Sequence, residues 1–494
     1  MAADLLTGRA MPFRLRFPTI FGALALLAAC GSSDDEGVVR IAVIGDAEAP
    51  FEKGLRLSTP AQQVRAATVE GLVAIDESGA VVPAIAERWI VTDDGMSYIF
   101  RLRNSDWPDG KPMTAEQVRD SLRRTLRELN GTSLGLDLAP VSEVRAMTGR
   151  VIEIRLSSAM PDFLQLLAQP EMGIPYKGGG TGPMDLDRTG SAARLALLPP
   201  EARGLPTSEN WREGTRVLAV EAMPARQAVD AFAAGEVDLV LGGTIVELPL
   251  APTGPLSRGT IRLDAAQGIM GLRVLRAEGL LAEASRREAL SLAIEREALL
   301  APFNIAGWIP STRLAPVDVV GEGATERWAN ATIEQRRADA QRRIAGYSGS
   351  KTVTVSLPEG PGSDLLLRQI AANWAEIGVN AVRARKGQAA DLELVDSLAR
   401  YGSRRWYLNQ FACRVRRALC DPAADELVRE ATREADPAAR ATLLAEAETR
   451  LTAQQGFIPL GAPVRWSLVR GQIAGFVENT WAVHPLHPLA LAPR

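Results

Sequence analysis

Hydrophobic and polar positions alternate along this chain with the two periods that separate strands from helices. The run Val38–Ile44 is apolar at every position but one and stops at a Gly-Asp pair, which predicts a strand buried on both faces. Ser97–Leu102 alternates between polar and apolar residues, as a half-buried strand does. Thr114 precedes a helical apolar pattern and has Gln117 three residues later, so we expect a capping box that starts a helix there.

Further segments carry one pattern or the other along the rest of the chain. Predicted helices are 61–72, 225–234, 287–300 and 363–377, with a helical turn at 84–89. Predicted strands are 71–76, 151–156, 235–241, 352–357 and 379–382. Strands that alternate with helices are typical of α/β domains with largely buried sheets. A chain of 494 residues can bury a large core and is expected to form two or more domains.

The N-terminal segment has the pattern of a targeting sequence. Two arginines precede the apolar run 17–29, which is shorter than the roughly 20 residues that a membrane span needs. Small residues before Cys30 and a polar stretch after it resemble a bacterial lipobox, which implies a lipid on Cys30. We therefore expect a signal peptide at 1–30 and a flexible tether at 31–40. An ordinary signal peptide with a chance cysteine is the alternative.

The other two cysteines, Cys413 and Cys420, are expected to form a disulfide. Disulfides persist in the oxidising compartment that a signal peptide implies. A continuous helix between the two would separate their Cα atoms by about 10 Å, so the bond requires a turn. A metal site is the alternative, but the only histidines, His484 and His487, lie far along the chain.

Composition and motifs argue against several classes of function. Hydrophobic content of 46% and charged content of 23% are those of a globular chain, and the net charge of −3 weighs against nucleic-acid binding. The chain has no Gly-x-Ser-x-Gly, no His-Glu-x-x-His and no phosphate loop that ends in Gly-Lys-Ser/Thr. The glycine-rich run 178–182 leads into Pro183, which suits a nucleotide loop poorly. We therefore expect that the protein is not an enzyme.

A dense set of short motifs carries a family resemblance. It comprises Glu70-Gly71-Leu72, the run 83–89, Asp94-Gly95, Tyr98-x-Phe100-x-Leu102, Trp107-x-Asp109-Gly110, Gly180-Thr181-Gly182-Pro183, Gly235-Glu236-Val237-Asp238 and the helix 287–296. In these motifs the chain resembles the extracellular solute-binding proteins of the oligopeptide and dipeptide transporter family, family 5. The resemblance covers nearly the whole chain after the signal peptide.

The resemblance implies an α/β fold of the two-lobed periplasmic-binding-protein kind, large and class II-like, with lobes joined by two crossing strands. Lobe one is expected to span 41–245, completed by 460–494, and lobe two to span 246–459. The crossings are expected near 242–248 and 458–465. The ligand then lies between the lobes, which close over it by a hinge motion.

The function that the resemblance implies is that of the substrate-binding lipoprotein of an ABC importer. Such a protein is periplasmic and membrane-anchored, and we expect a monomer that captures a small solute, peptide-like or anionic, and delivers it to a membrane permease. Some relatives bind nickel complexes or haem, but sparse histidine and cysteine argue against a directly bound metal, and no cofactor is expected. A transporter-independent periplasmic binding or sensor protein of the same fold stays open.

The expected ligand contacts depart from those of the family. Peptide-binding members carry Gly-Trp-x-x-Asp, whose aspartate pairs with the ligand's amino group; here Ser397 replaces the tryptophan and Arg400 the aspartate. A guanidinium suits a carboxylate or phosphate instead. The predicted contacts are Arg400, Arg404, Arg405, Trp406 and Asn409, with Gly180 and Thr181 from the other lobe. The alternative is that these arginines are solvated or pair with Asp391, Glu393 or Asp396.

Overall fold

The computed structural model describes residues 37–252, 259–321, 324–415 and 419–492. The predicted signal peptide, Cys30 and most of the predicted tether lie outside the described residues. None of the helices in the described ranges is long and apolar enough to cross a bilayer.

Strands and helices alternate as the sequence pattern predicts. The strands are β1 (Val38–Ile44), β2 (Val73–Ile75), β3 (Val81–Pro83), β4 (Ala86–Val91), β5 (Ser97–Leu102), β6 (Val141–Met147), β7 (Val151–Leu156), β8 (Met184–Thr189), β9 (Ala192–Leu197), β10 (Val217–Met223), β11 (Leu239–Thr244), β12 (Ile261–Asp264), β13 (Gly268–Val274), β14 (Thr352–Ser356), β15 (Asn380–Arg383), β16 (Leu392–Leu398), β17 (Phe457–Gly461) and β18 (Arg465–Val469). The α-helices are α1 (Thr59–Thr68), α2 (Ala115–Glu128), α3 (Ser133–Asp137), α4 (Phe163–Leu167), α5 (Ala225–Ala234), α6 (Ala284–Ala293), α7 (Arg296–Leu299), α8 (Val317–Val320), α9 (Ile333–Ala345), α10 (Pro361–Ala375), α11 (Arg404–Asn409), α12 (Pro422–Ala431), α13 (Pro437–Gln454) and α14 (Leu486–Leu489).

A seven-stranded sheet has β1 near its centre, in the order β12-β18-β11-β1-β10-β9-β8. β1 runs parallel to both of its neighbours, and its register with β10 extends from Val38↔Val217 to Ile44↔Met223. Parallel strands are buried on both faces, which explains why β1 is a nearly continuous apolar run. Ala42 and Val43 lie on opposite faces of β1, and neither is exposed.

A five-stranded sheet with the order β15-β14-β16-β13-β17 forms the second large layer. A four-stranded antiparallel sheet, β4-β5-β7-β6, and the two-stranded sheet β2-β3 complete the set within the described residues. One apolar core includes residues of both large sheets and of the helices that pack on them, and a second joins the four-stranded sheet to α11, α12 and α13.

The chain passes between the two large sheets at two places. Residues 265–267 connect β12 of the seven-stranded sheet to β13 of the five-stranded sheet. Residues 462–464 make the return from β17 to β18. The lobe limits predicted from the sequence stay a prediction, and on sheet membership we propose 265–267 and 462–464 as the passages between the lobes.

Local predictions agree with the structure where a pattern has only one interpretation. β1, β5 and α5 have the predicted limits, and Thr114 and Gln117 form the reciprocal hydrogen bonds of a capping box. The disulfide between Cys413 and Cys420 is also present, with the Cα atoms 5.1 Å apart. The three residues before the gap at 416–418 form a turn, as the bond requires.

Two local predictions were wrong. The segment 84–89 is not a helical turn, because Ala86–Val91 is an edge strand that pairs antiparallel with β5. The helix predicted at 287–300 is two helices, since Ile294 is extended between α6 and α7. Near this break, the buried Arg296 side chain donates hydrogen bonds to the carbonyl oxygens of Ser291 and Pro459 at 3.0 and 2.8 Å.

Candidate functional site

A cavity of about 810 Å³ opens where the sheets meet. The seven-stranded sheet contributes Thr244, Asp264 and Trp466, and β16 with the turn after it contributes Asp396 and Arg400. The two-stranded sheet adds Ile75, and α1 adds glutamine side chains to the wall. Walls drawn from several layers, with polar groups among apolar ones, are typical of small-molecule sites between domains.

Two of the seven predicted contacts line this cavity, Arg400 and Trp406. Trp406 is buried, and its indole Nε1–H has no hydrogen-bond partner among the described residues. A buried donor without a partner costs free energy unless a ligand or water accepts its hydrogen bond. Trp406 is therefore a residue of the cavity wall whose N–H donor is not used by the protein.

Arg400 reaches the cavity across the short helix α3. Its Nη1 donates to Ser133 Oγ at 3.2 Å and lies 4.0 Å from Asp137 Oδ2, at the other end of the same helix. The Arg400 side chain keeps 26% of its surface exposed, whereas Asp137 is completely buried. Part of the guanidinium is thus held by the protein and part faces the cavity.

Asp137 is the centre of a buried polar cluster. Its Oδ1 accepts hydrogen bonds from Asn409 Nδ2 at 2.8 Å and from Tyr401 Oη at 3.1 Å. Burial raises the pKa of Asp137 to about 6, although Asn409 and the charges of Arg405 and Arg400 oppose the shift. The carboxylate therefore fixes α11 and the turn before it against α3.

The structure places the other predicted contacts in the scaffold behind the wall. Arg405 Nη2 donates to the carbonyl oxygens of Leu136 and Asp137 at 2.7 and 2.8 Å. Arg404 Nε lies 3.3 Å from Glu448 Oε2 in a largely buried ion pair. These two arginines and Asn409 hold α11 in place, which positions Trp406 at the cavity.

Gly180 and Thr181 pack against α1 rather than line the cavity. A Cβ on Gly180 would come within 2.7 Å of Val69 Cα, so only glycine allows this approach. The Thr181 carbonyl oxygen accepts from Arg103 Nη2 at 3.2 Å. Arg103 also forms a 2.8 Å ion pair with Glu70, which does line the cavity.

Sequence analysis missed two polar pairs in the wall. Asp396 on β16 and Arg465 on β18 form a 2.8 Å ion pair, and burial raises the pKa of Asp396 while Arg465 opposes the shift. His484 Nε2 donates to Asp264 Oδ2 at 3.1 Å. A charge inside a largely apolar strand, as in Asp396, was the available signal, but its partner lies on a different sheet.

The ion pairs that the sequence offered as an alternative are different in the structure. Asp391, Glu393 and Asp396 pair with Arg276, Arg273 and Arg465, respectively, and not with the arginines around Trp406. Across the described residues, no cluster of three or more His, Cys, Asp or Glu side chains could hold a metal ion.

One family model matches part of this chain, and known proteins are similar to it over most of its length. Residues 80–191 match the model of bacterial extracellular solute-binding proteins, family 5 Middle. The periplasmic oligopeptide-binding protein OppA of Salmonella typhimurium is 22% identical over 84% of this chain and 86% of its own length. The glutathione-binding protein GsiB of Escherichia coli is 23% identical over 73% of this chain and 71% of its own.

A solved structure agrees over nearly the whole chain. Haemophilus influenzae OppA in complex with the peptide RPPGFSPFR superposes with a TM-score of 0.77 and 18% identity. The match covers 93% of this chain and all of that one. The fold is therefore shared, although only about one residue in five is identical.

Proposed function

The chain belongs to family 5 of the bacterial extracellular solute-binding proteins, and from this premise we propose that it delivers a small solute to the permease of an ABC importer. Its fold is the two-lobed fold that the sequence predicted. The relatives OppA and GsiB are binding proteins, which fits the absence of catalytic motifs from the sequence.

The observation that carries the proposal is the 810 Å³ cavity, whose walls come from both large sheets. A ligand that contacts both walls stabilises the closed arrangement over the open one, and the equilibrium shifts by that difference in affinity. Only the loaded, closed form then presents a consistent surface to a permease. Binding and hinge motion are sufficient, and no bond in the solute needs to change.

The proposed ligand is peptide-like or anionic, with Arg400 and Trp406 as its contacts. Arg400 presents a partly free cation, and Trp406 presents an N–H donor without a partner. The other predicted contacts, Arg404, Arg405 and Asn409, support these two from behind. A guanidinium at this position favours an anion over the free amino group of an ordinary peptide.

Mass spectrometry of the protein purified under native conditions tests the proposal directly. We expect a bound solute that dissociates on unfolding, and titration of the emptied protein with that solute should be abolished or weakened by Arg400→Ala. Arg119→Ala is the matched control and should bind normally, because Arg119 is a partly exposed arginine of α2 that does not line the cavity. Small-angle scattering that is unchanged by the recovered solute and by a whole metabolite extract would contradict a closing cleft.

We also propose that Cys30 carries a lipid that holds the protein at a membrane facing the periplasm. The lipobox pattern before Cys30 supports this proposal. The variant Cys30→Ser should lose the lipid mass and move from the membrane fraction to the released fraction. A wild-type protein that is recovered without lipid and in the released fraction would refute the anchor.

A further inference from the structure

The carboxylates of the cavity wall have cationic neighbours. Glu70 pairs with Arg103 at 2.8 Å, and Asp396 pairs with Arg465 at the same distance. Both ion pairs are largely buried, so each carboxylate is compensated within the protein. Neither carboxylate therefore requires a cationic ligand.

Asp264, a third acidic residue of the wall, has partners as well. Asp264 accepts hydrogen bonds from His484 Nε2 at 3.1 Å and from the Asn479 backbone N–H at 2.9 Å. Three of the four acidic residues of the wall, Glu70, Asp264 and Asp396, thus have partners inside the protein.

Arg203 is a cationic residue of the cavity wall that lacks an anionic partner among the described residues. It ends the single turn of 3-10 helix Pro200–Arg203, lies between β9 and β10, and lines the cavity. Its Nε is buried and has no hydrogen-bond partner, and within the described ranges its guanidinium has no ion pair. Burial lowers its pKa, and only the exposed Glu201 next to it opposes the shift.

The backbone turn after Arg203 is fixed by its conformation and by its packing. Gly204 follows with φ +75°, a left-handed conformation that glycine adopts without strain. A Cβ on Gly204 would meet Arg103 Cδ at 3.2 Å, so the turn lies against the Glu70–Arg103 pair. Arg203 is therefore fixed to the scaffold at its backbone while its guanidinium remains without a protein anion.

Arg203 and Arg400 reach the cavity from different walls. Arg203 follows a strand of the seven-stranded sheet, whereas Arg400 follows β16 of the five-stranded sheet. A guanidinium that is partly removed from water gains most from a carboxylate, which it grips with two parallel hydrogen bonds. A ligand with one anionic group at each wall would also contact both lobes, which favours closure.

We propose that the cavity selects a small molecule with two carboxylates, one bound by Arg203 and the other by Arg400. This inference rests on the proposed function, because it specifies the solute of the same cavity. Acidic peptides of two to four residues belong to this class, and the spacing of their two carboxylates can be varied. Arg203 is then a specificity-determining residue that sequence analysis did not identify.

The test uses a peptide series titrated by calorimetry. The probes are N-acetyl-Glu followed by one, two or three alanines, each with a counterpart in which Gln replaces Glu. At the spacing that matches the cavity, we expect the Glu peptide to bind about tenfold or more tightly than its Gln counterpart. Arg203→Gln should abolish this preference, because the variant no longer carries the cation that distinguishes a carboxylate from an amide.

Arg212→Gln is the matched control, since Arg212 lies in the same region, stacks on Trp211 and does not line the cavity. Its preference for Glu peptides should equal that of the wild type. Melting curves identify a variant that loses its fold, and Arg203→Lys, which keeps the charge, should retain part of the preference.

The outcomes separate the two proposals. If a metabolite extract closes the cleft in scattering measurements but no Glu peptide outbinds its Gln counterpart, the two-carboxylate inference is overturned and the transport proposal stands. An undiminished preference in Arg203→Gln also overturns the inference. If neither the peptides nor the extract changes the scattering curve, the proposed function itself fails.

Discussion

Arg400 Nη1 lies 4.0 Å from Asp137 Oδ2, and this contact links the cavity to a carboxylate that has no exposed surface. The distance is long for an ion pair, and Oδ2 has no hydrogen-bond partner among the described residues. The charge of Arg400 thus stabilises the ionised carboxylate of Asp137, but the contact does not hold the guanidinium tightly. The arrangement leaves Arg400 able to turn toward an anion.

The variant Asp137→Asn should stabilise the protein at pH 7 and strengthen anion binding. Burial raises the folded-state pKa of Asp137 to about 6, above its unfolded value, so its contribution to stability is present at low pH and is lost as the pH rises to about 6. Asparagine removes the cost of the buried charge, at most about 3 kcal/mol, and keeps an acceptor for Tyr401 and Asn409. Urea unfolding at pH 4 and pH 7 measures the effect.

The gain from Asp137→Asn should be present at pH 7 and nearly absent at pH 4, where the wild-type carboxyl is protonated in the folded state. The affinity for an anionic solute should rise, since Arg400 no longer faces a competing carboxylate. A loss of stability at pH 7 that disappears at pH 4 would instead show that the charge of Asp137 is required by Arg405.

The ion pair between Asp396 and Arg465 joins the two large sheets and should be costly to break. Arg465→Met leaves a carboxylate with both oxygens buried and without a counter-ion, so we expect a loss of about 3–5 kcal/mol in the free energy of unfolding. Adding Asp396→Asn should recover part of that loss.

The control for this pair is Arg262→Met, which breaks a 3.8 Å ion pair with Glu478 in which both side chains are more than a third exposed. Exposed pairs contribute about 0–1 kcal/mol, so the change should be small. Equal losses for the two variants would mean that burial of the Asp396–Arg465 pair does not set its importance.

The disulfide between Cys413 and Cys420 closes a loop whose ends are seven residues apart and is expected to contribute about 2–3 kcal/mol. The loop is also held by hydrogen bonds, from the Cys413 N–H to Asp425 at 3.0 Å and from Gln454 to the Cys420 carbonyl oxygen at 2.8 Å. The variant in which both cysteines are serine should therefore still fold, but it should unfold at a lower denaturant concentration than the wild type. Mass spectrometry before and after reduction should show two thiols only after reduction.

Binding of a two-carboxylate ligand should strengthen as the pH falls from 7 to 5.5. Burial lowers the pKa of His487 in the cavity wall; the charge of Arg203 lowers it further, and the carboxylates of Glu77 and Asp76 oppose the shift. A ligand carboxylate at Arg203 would raise that pKa, so binding takes up a proton. Calorimetry in buffers of different ionisation enthalpy measures the uptake.

His487→Gln should remove most of this proton uptake while it leaves binding at pH 8 unchanged. Because the folded-state pKa of His487 is below its unfolded value near 6.5, the wild type should also lose stability as the pH falls through 6.5. Uptake that persists in the variant would assign the proton to another group.

Local patterns determined the elements whose stabilising contacts lie close in sequence. The capping box joins Thr114 to Gln117 within one turn of α2, and β1 is apolar at nearly every position because a central parallel strand is covered on both faces. The turn that the disulfide requires and the two-lobed fold also followed from the sequence, the latter through a family resemblance. The segment 84–89 failed because its short pattern fits a helical turn as well as an edge strand, and only pairing with β5 decides between them.

The tertiary structure alone decided which charges are free. Arg405 and Arg404 look equivalent to Arg400 in the sequence, yet carbonyl oxygens of α3 and the Glu448 carboxylate engage them. Arg203 is the opposite case. Nothing in its local sequence indicates a ligand contact, yet it lines the cavity and, among the described residues, has no anionic partner. Whether a charge is compensated depends on groups that lie far away in the sequence, because electrostatic partners are fixed by distance in space and not along the chain.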